Sequence, residues 1–537
     1  MTTATTVLGL LTALALVAAL SKRVPLPLPL LLIATGIGLS FVPPLGRIEI
    51  EPDIFFLVFI PPLLFADGWQ IPKRELLRVL RPVMLLAFGL VLMTVVGVGL
   101  VLHWLIPSLP LAVTFALGAI VSPTDAVATH AMAGKAGLPA RATHILDGES
   151  LINDASGLVA FRFAAAAAAT GTFSLVGAAG ALLFVSVGGA VVGYVVAWLV
   201  GRIRVALRER CADDPSVQTV LSVLTPFAAY LAAEHAGVSG ILAVVVAGLY
   251  AGWNDFKTLD ARTRNHAWEV WDMLLFAFNG LVFLLLGISL AHALAAFEPD
   301  NVARYLAYAF SLWAALTLLR LVWVYPAAYL PQWLSRRVRE REGRRDAREV
   351  FLVGWAGLRG SVTMAAALSI PATLANGQPF PGRDLVIFLA ATTIVLTLVL
   401  NGLSLPLLAR ALAAPLGTER ERERRAAEIA IAQAGSAALE RAMQTLATPG
   451  EQAQARELLA SYRRRAERHA SMAAQSNPVA DGEPLERRLS LLALEAERDA
   501  LYALRDAGTI NDQTLREIEA RLDAADLFLA AALRTAG

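Results

Sequence analysis

Long apolar runs that recur along the chain constrain its fold more than any other feature. About thirteen such runs precede residue 413, and each is close to the roughly twenty residues that a helix needs to cross a bilayer. With 57% hydrophobic and only 17% charged residues, the chain is too apolar for a soluble globular protein. The sequence therefore predicts an all-α polytopic membrane protein. The predicted spans cover residues 4–20, 25–42, 53–69, 82–105, 110–133, 141–168, 174–203, 216–236, 238–254, 266–291, 302–330, 347–374 and 384–412.

Basic residues alternate between the connecting loops. Loops after odd-numbered spans contain several Lys and Arg residues, as in 202–210 and 336–348, whereas loops after even-numbered spans contain little beyond Arg47 and Arg383. Cytoplasmic loops carry such an excess of positive charge. The pattern predicts an N-terminus outside the cell and a C-terminus in the cytoplasm. The single cysteine, Cys211, excludes an internal disulfide and a cysteine pair for metal.

The composition changes sharply after the last span. Residues 413–537 are rich in charged residues and alanine with helical spacing, and they are interrupted by turn-forming sequences at 448–450 and 477–484. We expect a cytoplasmic domain of several helices there, with two more around a turn in 505–533, following a transmembrane domain at 1–412. The tail contains no glycine-rich phosphate loop, so nucleotide binding is not expected.

Polar and acidic residues are concentrated within spans five and six. Three carboxylates lie there among apolar flanks, together with four short hydrogen-bonding side chains. A charge at bilayer depth costs several kcal/mol or so, which makes an ion or proton pathway the natural hypothesis for these residues. The residues are Asp125, Glu149 and Asp154, with Ser122, Thr124, Ser150 and Asn153.

Pro123 predicts a break in span five. Proline removes a backbone donor and clashes with the preceding turn, so the helix should open and expose carbonyl and amide groups to a cavity. Transporters coordinate cations with such broken helices. The alternative is a simple kink in which Asp125 caps the second half-helix; the sequence allows Asp125 to do either or both.

Helical spacing sorts the polar residues of span six. Glu149 and Asn153 share one face, Ser150 and Asp154 share another, and the two acids point well apart, so we expect them to have different partners. A hard monovalent cation prefers oxygen ligands, and Asp154, Ser150 and Thr124 could supply them. Desolvated between apolar walls, Asp154 should accept either a proton or a cation near neutral pH, and that competition is sufficient for exchange.

Two arginines lie within predicted spans and require partners. We expect Arg320 of span eleven to form a buried ion pair with Glu149. Arg359 of span twelve lies in a glycine-rich segment that could unwind, where it would add positive potential to the core. The alternative for each is a side chain that extends toward the cytoplasmic interface. Arg162, near the outer end of span six, is expected to be a structural or interfacial residue.

Four sequence motifs in the predicted spans resemble those of a known protein family. SPTDAVA, GESLINDA and GWAGLRGSV, with PPLLFADGW at 61–69, resemble the monovalent cation:proton antiporter family of the NhaP and NHE type. The resemblance covers roughly residues 5–412. It implies two inverted six-helix repeats, discontinuous helices five and twelve, a dimerisation scaffold, and a mobile core domain with spans five, six, eleven and twelve.

The resemblance also assigns roles to individual residues. It implies that Asp154, preceded by Asn153, is the cation- and proton-binding aspartate, that Asp125 and Glu149 support it, and that Arg320 and Arg359 are the core arginines. Asn at position 153 and the lack of a lysine in span ten resemble the electroneutral group, which exchanges one cation for one proton. The implied protein is a bacterial inner-membrane sodium/proton antiporter, a homodimer active in pH homeostasis, without a cofactor or nucleic-acid partner.

Other functions are less consistent with the sequence. A cation channel needs a continuous polar path, whereas the polar residues here cluster at one depth. An intramembrane aspartyl protease could use Asp125 and Asp154 as a dyad, but its Gly-x-Gly-Asp motif is absent and the buried arginines are unexplained. The chain is therefore not expected to be an enzyme. Selectivity for potassium, or for several cations, stays open because each of these ions uses oxygen ligands.

Overall fold

A computed structural model of the chain describes most of the first 412 residues and a smaller part of the remainder. The described ranges are 3–24, 26–42, 52–133, 138–170, 175–211, 214–259, 261–295, 297–336, 346–370, 380–412, 433–444 and 450–457, with a few single residues. The chain divides into two compact units, Met1–Leu416 and Gly417–Gly537.

The first unit is built from helices. Their bounds are α1 Thr3–Ser21, α2 Leu28–Leu39, α3 Pro52–Gln70, α4 Lys73–Arg78, α5 Leu80–Met84, α6 Val91–Leu105, α7 Leu111–Ile120, α8 Ala126–Ala133, α9 Ala140–Thr170, α10 Leu175–Cys211, α11 Pro215–His235, α12 Gly240–Thr258, α13 Ala261–Ala295, α14 Pro299–Leu334, α15 Ala347–Trp355, α16 Ser361–Leu368, α17 Arg383–Leu396 and α18 Leu403–Leu412. Helices satisfy their own backbone hydrogen bonds, which a bilayer requires of a spanning segment.

Within the described ranges, six helical stretches are long and apolar enough to cross a membrane: Leu80–Leu105, Phe184–Arg210, Pro215–His235, Arg262–Ala295, Pro299–Leu334 and Arg383–Leu412. Shorter apolar helices accompany them, among them α2 and α7. Side-chain caps mark several helix starts: Asp214, Ser239 and Asp346 each accept a hydrogen bond from a backbone N–H in the first turn that follows.

Within the described ranges, two short non-helical segments interrupt the helices at predicted spans five and twelve. The first, residues 121–125, separates α7 from α8 and contains Pro123, as the sequence predicts. The second, residues 356–360, separates α15 from α16 and contains Gly357 and Gly360. Each break leaves backbone groups at its helix ends without intrahelical partners.

Among the described residues, π-helical segments at Leu85–Leu90 and Thr397–Gly402 widen long helices where side chains from neighbours approach. In Leu85–Leu90, the carbonyl of Ala87 accepts from Ser156 Oγ at 2.6 Å and that of Leu85 accepts from Trp323 Nε1 at 3.0 Å. The second segment, Thr397–Gly402, lies between α17 and α18. Such bulges free backbone carbonyls for contacts with other elements.

Small residues allow the helices to approach closely. A Cβ added at Gly36 of α2 would lie 2.1 Å from the carbonyl oxygen of Leu284, and one at Gly287 of α13 would lie 2.2 Å from that of Ile33. Backbone contact of this kind is typical of membrane helix packing.

Some of the predicted boundaries are wrong. Residues 202–210, predicted as a loop, continue α10 to Cys211, because arginine and leucine side chains there are compatible with a helix that extends beyond the apolar run. The basic loop after span three contains a further helix, α4. In the tail, residues 433–443 and 450–457 are helical, while the pair of helices predicted in 505–533 lies outside the described residues.

Candidate ion-binding site

The two helix breaks cross and exchange hydrogen bonds. The N–H of Asp125 donates to the carbonyl of Leu358 at 2.8 Å, and Arg359 Nε donates to the carbonyl of Val121 at 2.8 Å. Thr129 Oγ1 donates to the carbonyl of Ala356 at 3.2 Å. Backbone groups that each break frees are therefore partnered by the other break.

Asp125 caps two helices at once. Its Oδ1 accepts from the N–H of Ala128 in α8 at 2.8 Å, and its Oδ2 accepts from the N–H of Ser361 in α16 at 3.2 Å. A carboxylate near two positive helix ends is electrostatically favourable. The capping alternative is thus present in the structure, and Asp125 also lines the cavity described below.

Arg320 and Glu149 form a buried ion pair, which is the pairing expected from the sequence. Both side chains are almost fully buried, and both guanidinium Nη atoms contact the carboxylate, Nη2 at 2.7 Å from Oε2. Arg320 also donates to the carbonyls of Val353 and Gly354, at the C-terminal end of α15. The pair therefore joins α9, α14 and the end of α15.

Arg359 is buried, and within the described residues its guanidinium donates to backbone carbonyls rather than to a carboxylate. Besides Val121, its Nη1 donates to the carbonyl of Gly357 at 2.5 Å, and its backbone N–H donates to Thr397 Oγ1 at 3.2 Å. The freed carbonyls of the two breaks partly neutralise this charge, so the side chain does not extend to the interface.

The polar residues of α9 hold the first break in place. Asn153 Nδ2 donates to Thr124 Oγ1 at 2.8 Å, and Thr124 Oγ1 lies 3.4 Å from Glu149 Oε1. Ser150 Oγ donates to the carbonyl of Thr124 at 2.8 Å and accepts from the N–H of Ala126 at 3.3 Å. Ser122, by contrast, donates back to the preceding helix α7, to the carbonyl of Ala119.

Asp154 follows Asn153 in α9 but differs from these residues in its hydrogen bonding. Its side chain is 2% exposed, and Oδ1 has no hydrogen-bond partner in the part of the chain that the structure describes. It lines a small cavity between the two breaks, and so a buried carboxylate oxygen is available to a ligand there. The lining residues are Leu63, Asp67, Pro123, Thr124, Asp125, Val127, Ser150, Asp154, Asn279, Gly360, Ser361, Val362 and Thr363.

The cavity includes two residues, Asp67 and Asn279, to which sequence reasoning gave no role at the site. Asp67 of α3 is half-buried and brings a further carboxylate, and Asn279 of α13 brings a neutral amide. The signal for Asp67 was present, since it lies inside the PPLLFADGW motif near the end of a predicted span. That motif was used only for its family likeness.

Arg162 and His130 have acidic partners outside the cavity. Arg162 of α9 binds Glu234 of α11 at 3.0 Å, with both side chains more than a third exposed, in agreement with a structural or interfacial role. His130 Nε2 lies 2.7 Å from Asp147 Oδ1, at the end of α8 that leads toward residues 134–137.

One family model matches nearly all of the membrane domain. The family model described as "Sodium/hydrogen exchanger, transmembrane" matches residues 10–411. The chain belongs to this family. Members of the sodium/hydrogen exchanger family are transporters rather than enzymes, so the chain is an integral membrane cation/proton antiporter.

Individual exchangers resemble the chain over most of its length. An uncharacterized Na⁺/H⁺ exchanger of Escherichia coli, YjcE, is 38% identical over 518 residues, which cover 94% of each chain. A sodium, potassium, lithium and rubidium/H⁺ antiporter of Bacillus pumilus is 40% identical over 410 residues, covering 75% of this chain and 61% of that protein. The sodium proton antiporter MjNhaP1 of Methanocaldococcus jannaschii has a similar fold, with a TM-score of 0.58, 22% identity, and coverage of 77% and 99% of the two chains.

Proposed function

We propose that the chain exchanges one sodium ion for one proton by alternating access, with Asp154 as the shared binding group. One observation carries this proposal: a 2% exposed aspartate has a carboxylate oxygen without a hydrogen-bond partner among the described residues, and it lines a cavity between two broken helices. Such an oxygen can hold a cation or a proton, but the two compete for it.

Desolvation would couple the two fluxes. An empty, charged Asp154 that crossed the membrane barrier would lose its hydration without a counter-charge, which is costly. Only the occupied forms, with a cation or a proton, would therefore cross readily. Asp154 with the oxygens of Ser150 and Thr124 would form the cation site, supported by Asn153 and Asp125, while the Glu149–Arg320 pair and Arg359 would hold the surrounding framework.

Electroneutral exchange is supported by the charge of the cavity wall. Asn279 of α13 contributes a neutral amide to the cavity wall, and span ten, residues 266–291, contains no lysine of the kind that the resemblance associates with electrogenic relatives. No cationic side chain in span ten then has to gain or lose a proton of its own during the cycle. Asp154 alone would carry one cation in one direction and one proton in the other, so no net charge would cross the membrane. Asp67, a further carboxylate in the cavity beside Asp154 and Asp125, would attract cations toward the site without changing this balance.

The described conformation is consistent with a cavity open toward the cytoplasm. Val127, on the α8 side of the break, is 44% exposed and lines the cavity. On the other side the packing is tight, because a Cβ at Gly157 would lie 2.7 Å from Pro123 Cγ. We assign the α8 side to the cytoplasm from the basic loops, with the N-terminus outside and the tail at 413–537 inside a bacterial inner membrane.

We also propose a finer architecture for the membrane domain. Thirteen spans, two inverted repeats related through the two broken helices, and a core domain of spans five, six, eleven and twelve account for the crossing of the breaks. A homodimer scaffold would leave the core free to move. Regulation of cytoplasmic pH is the physiological role that such exchange would serve.

Broader selectivity is the second candidate. It is favoured by the Bacillus pumilus relative, whose name includes potassium, lithium and rubidium as well as sodium. Everted vesicles that contain the protein and a pH-sensitive dye, challenged with Na⁺, Li⁺ and K⁺ in turn, would test both. A larger recovery of dye fluorescence with Na⁺ than with Li⁺ or K⁺ supports sodium selectivity, and equal recoveries support the broader selectivity. No recovery with any of these cations contradicts the proposal.

A further inference from the structure

Thr363, the third residue of α16, has a buried hydroxyl with an unusual environment. The residue is 1% exposed, and Oγ1 has no hydrogen-bond partner within the described ranges. Several helical threonines donate to the carbonyl four residues earlier: Thr225 does so at 2.7 Å and Thr393 at 2.6 Å. The hydroxyl of Thr363 therefore lacks the bond that helical threonines ordinarily make.

The helix break explains this difference. The residue four positions before Thr363 is Arg359, which lies in the non-helical segment 356–360, so no helical carbonyl is in place beneath the hydroxyl. The carbonyl of Gly360, three positions before, accepts from the N–H of Met364 at 3.2 Å. A buried hydroxyl without a partner is unfavourable and is expected to have a ligand when the protein works.

The position of Thr363 indicates the ligand. Thr363 and Asp154 line the same cavity, from α16 and α9 respectively, and each contributes a buried oxygen that lacks a partner in the described structure. A threonine hydroxyl offers a neutral oxygen with two lone pairs. Hard cations collect several oxygens, of which one carboxylate supplies only a part.

We propose that Thr363 Oγ1 is a cation ligand, contributed by the second broken helix opposite Asp154, and that it determines how strongly the site discriminates among monovalent cations. This inference rests on the proposed function, in which the cation is held at Asp154. Because the hydroxyl is neutral, its loss changes cation affinity without changing the charge that is exchanged. A smaller, more strongly hydrated ion loses more when a ligand is missing, so Na⁺ should be affected more than K⁺.

The test uses Thr363→Val, which keeps the shape of the side chain but removes the hydroxyl, and Thr363→Ser, which keeps the hydroxyl. Thr392→Val is the matched control, because Thr392 is also buried with an unpartnered hydroxyl in the described structure but does not line the cavity. The full-length proteins are reconstituted in liposomes, and KM and kcat are measured for Na⁺ and K⁺ at fixed pH.

Thr363→Val is expected to raise KM for Na⁺ roughly three- to tenfold, which is what the loss of one polar contact amounts to, with a smaller change in kcat. Thr363→Ser and Thr392→Val should behave like the wild type. An unchanged KM for Na⁺ in Thr363→Val, or an equal rise in Thr392→Val, would overturn the inference.

A second measurement does not depend on transport and therefore tests the inference even if Thr363→Val transports poorly. Na⁺ should raise the unfolding temperature of the purified wild type, and Thr363→Val should require roughly three- to tenfold more Na⁺ for the same rise. An identical Na⁺ requirement overturns the role of Thr363 whatever the transport rate. Failure of the proposed function is distinct, because the wild type itself would then show no cation-driven exchange.

Discussion

The carboxylate of Asp125 accepts a hydrogen bond from the backbone N–H of Ser361 at 3.2 Å, across 236 residues of sequence. Its other oxygen accepts from the N–H of Ala128, three residues ahead in its own chain segment. One side chain thus caps the second half of each broken helix. The two breaks are therefore one mechanical unit, and a disturbance at either should affect both.

Gly360→Ala should abolish exchange. A Cβ at this position would lie 1.7 Å from Asp125 Oδ2, so the cap would have to move away from α16. Gly38→Ala in α2 is the control, since a Cβ there meets no atom within 4 Å. Exchange in vesicles, normalised to inserted protein, should be lost in the first variant and retained in the second. Wild-type exchange by Gly360→Ala would show that the cap is dispensable.

Glu149→Gln should destabilise the protein strongly. Removing one member of a buried ion pair leaves the other charge uncompensated, at a cost of about 3 to 5 kcal/mol. Arg162→Gln provides a comparison at an exposed pair, where the expected loss is about 1 kcal/mol or less. Thermal unfolding in detergent, completed as a double-mutant cycle with Arg320→Gln, measures both. Equal losses in the two single variants would contradict the assignment of Glu149–Arg320 as a framework pair.

Lys73, in the short helix α4 after span three, should give stability a pH dependence. Burial lowers the pKa of Lys73 to about 8, against the opposing attraction of Asp255. Because the folded-state pKa lies below the unfolded value of 10.5, the folded protein binds fewer protons between these limits, and stability rises with pH from about 8 upward. Lys73→Met should lack this rise. Unfolding temperatures between pH 7 and 10 test it, and parallel curves for the two proteins would refute it.

Asp67→Asn should weaken cation uptake more than turnover. Asp67 lines the cavity at its α3 wall, where its charge raises the local cation concentration, but Asp154 would remain the binding group. KM for Na⁺ should therefore rise while kcat stays near the wild-type value. Asp272→Asn, an exposed acid on α13, serves as the control. A collapse of kcat in Asp67→Asn would instead place this carboxylate in the exchange step itself.

Features of the site that depend on the sequence of a single helix could be predicted. Pro123 predicted the first break. The spacing of α9 placed Glu149, which binds Arg320, on a different face from Asp154, which lines the cavity. Arg320 could be paired with Glu149 because a buried guanidinium requires a carboxylate, and few carboxylates lie at that depth.

Features that depend on packing between distant elements were not predictable. The partners of Arg359 are backbone carbonyls of the two breaks, including that of Val121, and no side-chain pattern in a sequence identifies a freed carbonyl. Similarly, Asp67 reaches the cavity only because α3 packs beside α9 and α16. The helical continuation of α10 through 202–210 was missed because hydropathy marks the membrane, not the end of a helix.

The most direct measurement counts protons released when sodium binds. In weakly buffered detergent solution near neutral pH, Na⁺ added to the purified protein should release protons in a saturable manner, because Na⁺ and H⁺ compete for Asp154. Asp154→Asn should release none, while Asp272→Asn should match the wild type. Saturable proton release by a folded Asp154→Asn protein would contradict the account.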